Sequence, residues 1–177
     1  MIKKHYYSWN DIETMCVSIV NQMYKDNWRP DYIVGLTRGG NVPATIISNM
    51  TGIRCEALKV SLRDDGNDMG PESNCWMAED AFGYPDSDVG DNKKNILVVD
   101  DINDTGATFN WIKKDWPSGC LPGHESWKNV WGNNVRFAVL TENLSSEFDS
   151  VSYSCDEVNK AEEDVWLVYP WENVGEY

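Results

Sequence analysis

The stretch from Asn95 to Phe109, NILVVDDINDTGATF, constrains the fold more than any other part of this chain. Its first half, Ile96 to Val99, is an unbroken aliphatic run, which is typical of a parallel strand buried on both faces. The run ends in carboxylates, Asp100, Asp101 and Asp104, ahead of small and hydroxyl residues and a predicted helix. Open α/β sheets bind ligands at the carboxyl ends of their strands, and a helix N-terminus favours phosphate. The stretch therefore predicts an α/β sheet with an anion site at this edge.

The totals of the chain limit its organisation and its partners. With 177 residues the chain can form one ordinary domain with a full core, so we predict a single unit over 1–177. The formal net charge of −14 argues against a nucleic-acid-binding surface, although a local group of donors can still hold a small anion. No apolar run is long enough to span a bilayer and no signal-peptide pattern is present, so we expect a cytoplasmic protein without membrane contact. The five cysteines are widely spaced, without a CxxC pair, and are predicted to be reduced thiols.

A second loop in the first third of the chain has the same placement as the acidic one. Ser8 suits the N-cap of a first helix, which apolar residues continue to about Asn27. A short apolar strand, Tyr32 to Leu36, leads directly into residues 37–40, TRGG, and Pro43 opens a second helix. Glycine lets backbone approach a ligand, and arginine offers a planar fork of donors to phosphate oxygens. This loop is either a tight turn or a second anion-binding segment.

Two long segments have the composition of loops. Residues 64–91 are rich in Gly, Pro, Asn, Ser and Asp, and we predict a lid over the site with one short helical turn. Residues 118–134 are predicted to be an irregular insert that holds a small surface helix around Trp127 and Trp131.

The remaining elements alternate between strand and helix. A third helix is predicted from Phe109 to Trp116, where Pro117 stops it. Further strands are predicted at Glu56–Ser61, Val135–Leu140, Val151–Cys155 and Val165–Tyr169. This order predicts an α/β fold, a mostly parallel twisted sheet flanked by helices, with an antiparallel addition near the end.

The acids after the central strand have several chemical interpretations. Adjacent carboxylates beside a phosphate loop can hold Mg²⁺ and ribose hydroxyls. Similar acids occur at the phospho-acceptor site of a receiver domain and in a Walker B strand. No G-x-x-x-x-G-K-[ST] sequence is present, which excludes a P-loop protein, and a receiver domain does not require the DTGAT loop.

The segment VVDDINDTGATF resembles the phosphoribosyl pyrophosphate signature of type I phosphoribosyltransferases, in which two acids follow a hydrophobic strand and a D-T-G-x-T loop takes the 5′-phosphate. The segments YYSWNDIETM, DYIVGLTRGGNVPATIISNMTGIR and VWLVYPWE are similar, in the right order, to other parts of the xanthine-guanine and hypoxanthine branch. The resemblance covers most of the chain outside the two loop segments. It implies the type I phosphoribosyltransferase fold, with a small C-terminal hood at residues 151–177 that carries the base pocket.

The resemblance also implies a role for each site residue. Asp100 and Asp101 would bind the ribose hydroxyls and a Mg²⁺ ion that touches pyrophosphate, and Asp104 would be the general base that takes a proton from the purine. The 5′-phosphate would be held by Asp104, Thr105, Gly106, Ala107 and Thr108, although the family more often has glycine at position 107. The pyrophosphate loop would be Thr37, Arg38 and Gly39. That loop often carries a cis peptide in the family, so we expect a non-proline cis or otherwise strained bond between Arg38 and Gly39.

The base pocket departs from the family pattern. Trp166 matches the aromatic residue that stacks on the purine, with a buried core tryptophan as the alternative, and the backbone of Leu167 matches a group that reads the purine edge. The 6-oxopurine enzymes carry a lysine just after the strand that is here Phe137 to Leu140, and it donates to O6. This chain has Thr141, Glu142 and Asn143 instead. A carboxylate there would favour an amino group and the amide could donate in the lysine's place, so the acceptor base stays open.

Together these observations predict a Mg²⁺-dependent phosphoribosyltransferase that transfers ribose 5-phosphate from phosphoribosyl pyrophosphate to a nucleobase, expected to be a purine, with release of pyrophosphate. Its partners would be these two substrates and further copies of itself in a homo-oligomer, without nucleic acid or membrane. The alternative is a non-catalytic protein that senses phosphoribosyl pyrophosphate or a nucleotide through the same loops. An intact Asp104 favours the enzyme.

Overall fold

A computed structural model describes residues 2–60, 75–83 and 92–172 of the chain. The strands of this part are β1 (Lys3–Tyr6), β2 (Tyr32–Thr37), β3 (Cys55–Lys59), β4 (Ile96–Asn103), β5 (Val135–Asn143), β6 (Asp156–Val158) and β7 (Val165–Val168). The α-helices are α1 (Trp9–Lys25), α2 (Asn41–Thr51), α3 (Cys75–Phe82) and α4 (Ala107–Gly119), and Glu125–Asn129 form a 3₁₀ helix. Within the described ranges, no helix has the length and apolar character needed to cross a membrane.

Five strands form the central sheet in the order β3-β2-β4-β5-β6, and each neighbouring pair is parallel. Strand β4 lies in the middle, and its side chains alternate between two cores. Ile96 and Val98 pack in one buried cluster, whereas Leu97 and Val99 pack in the other. Because a strand covered on both faces needs apolar residues at every position, the unbroken run correctly predicted a buried parallel strand.

Among the described residues, the C-terminal part of the chain adds no antiparallel strand, so that prediction is wrong. Strand β6 continues the sheet in parallel, and β7 leaves it to pair in parallel with β1, with Lys3 opposite Val165 and Tyr6 opposite Val168. The two-stranded sheet places an N-terminal strand in the predicted hood. All four residues of β1 are exposed, so the strand has no apolar alternation that a pattern could detect.

Helix α1 begins at its predicted N-cap, whereas α2 begins at Asn41, two residues before the predicted start at Pro43. The Ser8 hydroxyl accepts a hydrogen bond from the Asp11 N–H at 3.1 Å, and the Asp11 carboxylate accepts one from the Ser8 N–H at 2.8 Å, which completes a capping box. Gly52 ends α2 in the left-handed conformation, with φ of 75°. Both helices bury their apolar sides against the face of the sheet that carries Leu97 and Val99.

Part of the predicted lid belongs to the core. Helix α3 buries Met77, Ala78, Ala81 and Phe82 in the same cluster as Ile96 and Val98. These side chains therefore stabilise one face of the sheet, and α3 is a permanent element of the domain. The rest of the predicted lid, residues 64–74 and 84–91, lies outside the described residues.

The predicted insert at 118–134 also packs against the core. Its helix is a 3₁₀ turn in which Trp127 is buried, and the indole Nε1 donates to the Cys120 carbonyl at 2.8 Å. The Trp127 ring stacks on Trp131 with centroids 5.7 Å apart, so the small helix predicted in this segment is present and is anchored to the core by Trp127. Helix α4 continues through Pro117 to Gly119, because a proline in the last turn removes only one backbone donor.

Candidate active site

Two loops meet at the carboxyl edge of the sheet. Strands β2 and β4 are parallel neighbours, so the loop that follows Thr37 lies beside the acids at the end of β4. A Cβ added to Gly39 would collide with the Asp101 carboxylate, and a Cβ on Gly40 would lie 2.8 Å from the Leu36 nitrogen. The loops approach this closely only because residues 39 and 40 have no side chains.

This contact borders a cavity of about 670 Å³, which is lined by Arg38, Gly39, Asp101, Trp171 and Glu172. Trp171 and Glu172 come from the segment after β7 and were not predicted as site residues. The Trp171 ring stacks on Tyr169 with centroids 4.9 Å apart and an interplanar angle of 8°, and the Tyr169 hydroxyl donates to the Asp101 carbonyl at 3.2 Å. The C-terminal segment is therefore attached directly to the acidic strand.

The backbone of the β2 loop contains a non-proline cis peptide between Thr37 and Arg38. The predicted position, between Arg38 and Gly39, is wrong by one bond. The TRGG sequence cannot distinguish these two bonds, since neither involves proline and both have ordinary secondary-amide chemistry. The cis bond lies at the point where β2 ends and the chain turns so that the Gly40 N–H donates to the Leu36 carbonyl at 2.9 Å.

The residues from Asp104 to Thr108 surround a smaller cavity of about 170 Å³. Gly106 is the N-cap of α4, with φ of 87°, a left-handed conformation that favours glycine. It supplies no side-chain acceptor, so the cap leaves N–H groups of the first helical turn available to a ligand. The N-terminus of this 13-residue helix, next to the Thr105 hydroxyl, suits an anion the size of phosphate.

A loop that follows β5 packs against the loop formed by residues 104–108. The Glu147 N–H donates to the Thr105 carbonyl at 3.0 Å, and the Asn103 side chain donates to the Phe148 carbonyl at 2.8 Å. A Cβ on Gly106 would lie 2.5 Å from the Phe148 nitrogen. These contacts hold the loop in shape without a bound ligand.

Asp100 and Asp101 form a negatively charged pair in the last part of β4. Strand β4 continues four residues beyond the predicted end at Val99, because β5 is also longer than predicted and pairs with it as far as Asn103. Burial, together with the neighbouring Asp101 charge, raises the pKa of Asp100 well above its usual range, and burial also raises the pKa of Asp101. Neither carboxylate forms an ion pair with a described Lys, Arg or His side chain. The pair is therefore suited to bind a cation.

Asp104 has a cationic partner from a distant part of the chain. The Lys160 Nζ lies 3.1 Å from Asp104 Oδ1, and Lys160 belongs to the turn that follows β6. Asn143 connects the two residues: its Nδ2 donates to the Asp104 carbonyl at 2.9 Å, and its Oδ1 accepts from the Lys160 N–H at 3.0 Å. Lys160 was not predicted as a site residue, since no local pattern distinguishes it from a surface lysine.

The tripeptide that replaces the expected lysine forms the end of β5. The Thr141 hydroxyl is buried and shares hydrogen bonds with the Tyr7 and Tyr169 hydroxyls, each at 3.0 Å. Glu142 lies between Thr141 and Asn143, and side chains alternate along a strand, so its carboxylate faces away from Asp104. Burial raises the pKa of Glu142, whose carboxylate is hydrogen-bonded to Ser154. Glu142 therefore does not share the face of β5 on which Asn143 contacts Asp104.

Trp166 and Leu167 lie next to each other in β7 and face opposite sides of the two-stranded sheet. The Trp166 side chain is 58% exposed, which rules out the alternative of a buried core tryptophan, whereas Leu167 is buried. An exposed indole is available for stacking on a flat ligand. The hydrogen bond from Tyr169 to Asp101 anchors the end of β7 at the site.

The parallel sheet carries three features at one edge: a glycine loop, a carboxylate pair and a free helix N-terminus. Together they define a class of protein that binds phosphorylated ligands. Residues 2–170 match the family described as the phosphoribosyl transferase domain. The chain therefore belongs to the phosphoribosyltransferase family, and it is an enzyme of that class. The predicted family and the predicted fold class are confirmed.

Three similar proteins are phosphoribosyltransferases named for purine bases. A hypoxanthine-guanine phosphoribosyltransferase from Schizosaccharomyces pombe is 25% identical over 187 residues, which cover 94% of this chain and 88% of that one. Xanthine phosphoribosyltransferase 1 from Saccharomyces cerevisiae is 30% identical over 124 residues, or 62% of this chain and 58% of that one. A purine phosphoribosyltransferase structure from Pyrococcus horikoshii OT3 has the same fold, with a TM-score of 0.65 and 19% identity over 99% of this chain and 98% of that one. None of these similarities supports the alternative of a non-catalytic sensor.

Proposed function

We propose that this phosphoribosyltransferase transfers ribose 5-phosphate from phosphoribosyl pyrophosphate to a purine base and releases pyrophosphate. The observation that carries the proposal is the contact between Gly39 and Asp101, because it joins the glycine loop to the acidic strand beside the helix N-terminus of α4. One substrate with a phosphate at each end of a ribose ring fits this arrangement. The names of the similar proteins favour a purine as the acceptor.

The donor would be held at both ends. Its 5′-phosphate would lie in the loop formed by Asp104, Thr105, Gly106, Ala107 and Thr108, where backbone N–H groups and the helix dipole favour negative charge. Its pyrophosphate would lie beside Thr37, Arg38 and Gly39. An arginine side chain offers several donors in a plane to the oxygens of the leaving group.

In the reaction, purine N9 forms a bond to C1′ while the bond from C1′ to pyrophosphate breaks, and the electron pair of that bond leaves with pyrophosphate. Carbon C1′ becomes cation-like during this step, so the carboxylates of Asp100 and Asp101 would lower the barrier electrostatically. The proton on purine N7 passes to the Asp104 carboxylate, which leaves a neutral imidazole ring in the product. Trp166 would stack on the base, and the backbone of Leu167 would read its edge.

Asp100 and Asp101 also fit Mg²⁺. The site offers only carboxylate oxygens, without a compensating described cation, and Mg²⁺ is commonly bound by one or two carboxylates together with substrate phosphates and water. No group of three or more His, Cys, Asp or Glu side chains suited to a metal occurs among the described residues, so the substrate would complete the coordination. When bound, Mg²⁺ supplies positive charge that stabilises the leaving pyrophosphate.

A screen of free bases tests the proposal. The purified chain would be incubated with phosphoribosyl pyrophosphate, Mg²⁺ and, in turn, guanine, hypoxanthine, xanthine, adenine, uracil or orotate, and pyrophosphate release would be followed. Release with one or more purines and none with pyrimidines is the expected result. Tight binding of phosphoribosyl pyrophosphate without release for any base would overturn the proposal in favour of the sensor.

The cellular setting is part of the same proposal. A reaction between two small phosphorylated or heterocyclic metabolites is compatible with a cytoplasmic homo-oligomer that contacts neither nucleic acid nor membrane. Cell fractionation and sedimentation of the purified chain would test the location and the oligomeric state.

A further inference from the structure

We propose that Tyr169 is a positioning residue, whose hydroxyl fixes the Asp101 carboxylate for Mg²⁺ through the peptide bond that follows Asp101; the inference rests on the proposed function. The Tyr169 hydroxyl donates to the Asp101 carbonyl at 3.2 Å. The N–H group of Ile102 donates to Asp101 Oδ1 at 2.8 Å. This carbonyl and this N–H belong to the same peptide unit, so one rigid group connects the tyrosine to the carboxylate.

The planarity of the peptide unit makes the connection effective. The carbonyl and the N–H of a trans peptide lie in one plane, and rotation about the C–N bond is strongly hindered. A donor that fixes the direction of the Asp101 carbonyl therefore also fixes the N–H group that orients Oδ1. Among the described strands, β2 pairs with β4 only as far as Val99, although β4 continues to Asn103. Tyr169 thus adds a constraint in the part of β4 where pairing with β2 has ended.

The Tyr169 side chain is itself held firmly enough to act as a constraint. It is 2% exposed, and its ring stacks on those of Tyr7 and Trp171, with centroids 5.1 and 4.9 Å away and interplanar angles of 17° and 8°. Its hydroxyl lies 3.0 Å from that of Thr141, which in turn lies 3.0 Å from the Tyr7 hydroxyl. Because the ring and the hydroxyl are both engaged within the protein, the donor is in place before a ligand binds.

The orientation of Asp101 matters because its carboxylate borders the proposed donor site. Asp101, Arg38 and Gly39 line the same cavity of about 670 Å³, and Oδ2 is the Asp101 atom nearest to position 39. With Oδ1 turned to the Ile102 N–H, Oδ2 is directed towards the proposed pyrophosphate loop. Mg²⁺ requires near-ideal octahedral geometry at about 2.0–2.1 Å, so a carboxylate that can rotate binds it less tightly than a fixed one.

The test compares the parent enzyme with Tyr169→Phe, which keeps the stacked ring and removes only the hydroxyl. Tyr153→Phe is the matched control, because Tyr153 is also 2% exposed and its hydroxyl donates to Asp26 at 3.0 Å and accepts from Arg136 at 2.8 Å, outside the site. For each protein, calorimetry would measure the affinity for phosphoribosyl pyrophosphate with Mg²⁺ and with EDTA. Urea denaturation would measure the free energy of unfolding.

We expect Tyr169→Phe to weaken Mg²⁺-dependent binding of phosphoribosyl pyrophosphate by about 3–10-fold, which corresponds to the loss of about one hydrogen bond. The affinity in EDTA should stay within about 2-fold, because the N–H groups at the start of α4 remain. Tyr153→Phe should leave both affinities unchanged while it lowers the free energy of unfolding. Thr141→Val, which removes the neighbouring hydroxyl but keeps the donor to Asp101, should have a smaller effect in the same direction as Tyr169→Phe.

A double-mutant cycle with Asp101→Asn shows whether Tyr169 acts through the acid. Asp100 remains in the double mutant, so residual Mg²⁺-dependent binding can be measured. If the assignment is correct, Tyr169→Phe causes no further loss in the Asp101→Asn background. Additive losses would overturn it, and so would parent-like Mg²⁺-dependent affinity in Tyr169→Phe. A parent chain that bound no phosphoribosyl pyrophosphate at all would instead refute the proposed function, so the two failures are distinguishable.

Discussion

Gly39 packs against the carboxylate of Asp101 so closely that a Cβ at position 39 would overlap it. The two residues belong to loops that follow different strands, β2 and β4, and their contact joins the proposed pyrophosphate loop to the proposed metal-binding acids. The Asp101 carboxylate is itself held in place, because its Oδ1 accepts a hydrogen bond from the Ile102 N–H at 2.8 Å. The geometry of the donor site thus depends on the absence of a single side chain.

Gly39→Ala should therefore weaken the binding of phosphoribosyl pyrophosphate and Mg²⁺ by at least about 10-fold, because displacing either loop by 1 Å misplaces the ligand groups. Titration calorimetry would measure the change. Gly123→Ala is the control: no atom lies within 4 Å of its added Cβ, so its only penalty is the left-handed φ of 75°. Parent-like affinity in Gly39→Ala would show that the contact does not organise the site.

Asp104→Asn should lower kcat by about 10²–10⁴-fold, because an amide cannot accept the purine proton. The affinity for phosphoribosyl pyrophosphate should stay within a few-fold, since the backbone N–H groups of the loop remain. Asp149→Asn, at an exposed position outside the site, is the control for the loss of one charge. Single-turnover kinetics would separate the chemical step from binding, and equal turnover in Asp104→Asn and the parent would contradict the assignment of the base.

Asp100→Asn should affect stability and binding in opposite directions. Without Mg²⁺, the substitution removes a buried charge beside Asp101, so the free energy of unfolding should rise by about 1–2 kcal/mol. In the presence of Mg²⁺, the affinity for phosphoribosyl pyrophosphate should fall. Urea denaturation and calorimetry would measure the two effects, with Asp149→Asn at an exposed position as the control. A merely structural acidic turn would show no loss of Mg²⁺-dependent binding.

Trp166→Ala should raise KM for the purine by about 10-fold or more, since stacking of a base on an aromatic ring contributes about 1–3 kcal/mol. The free energy of unfolding should change by less than about 0.5 kcal/mol, because the indole is 58% exposed. Trp166→Phe should keep most of the affinity. Trp76→Ala is the control, since Trp76 is also partly exposed but packs on Tyr32, whose ring centroid lies 5.5 Å away. A loss of stability without a change in KM would assign Trp166 to packing.

The thiols of Cys16, which is buried, and of Cys155, which is partly buried, should resist alkylation in the folded state. Burial raises the pKa of Cys16 to about 12 and that of Cys155 to about 11, so at pH 8 the reactive thiolate of Cys155 is about a thousandth of the population. Site-resolved mass spectrometry after iodoacetamide treatment should show slow labelling of both in the native protein and fast labelling in guanidinium. Both pKa values lie above the value of about 8.5 for an unfolded thiol. The protonated thiols therefore make their full contribution to the free energy of unfolding below pH 8.5, and this contribution is lost as the pH rises through 11 and 12. Native labelling as fast as unfolded labelling would contradict the burial.

Local sequence patterns correctly predict the elements in which all side chains have the same environment, and the helix ends that depend on a single capping residue. The run from Ile96 to Val99 is apolar at every position because both faces of β4 are covered, and Ser8 and Gly52 mark helix ends by backbone chemistry alone. Sequence patterns do not predict an element correctly where its burial or exposure depends on elements that are distant along the chain. Composition predicts that α3 belongs to a lid because the residues on both sides of it are polar, and no pattern predicts β1 because it is exposed along its whole length.

Short, continuous motifs are enough to predict the family of this protein, its parallel α/β sheet and the stretch from Asp100 to Thr108 that would bind the ribosyl donor. The groups that surround Asp104 depend instead on how the strands pair. Lys160 meets it because β6 pairs in parallel with the end of β5, which brings the following turn to the edge where β4 ends. Strand pairing also sets the orientation of Glu142 away from the site and the exposure of Trp166. Alternation along a strand shows which side chains share a face, but only the neighbouring strands show which face is buried.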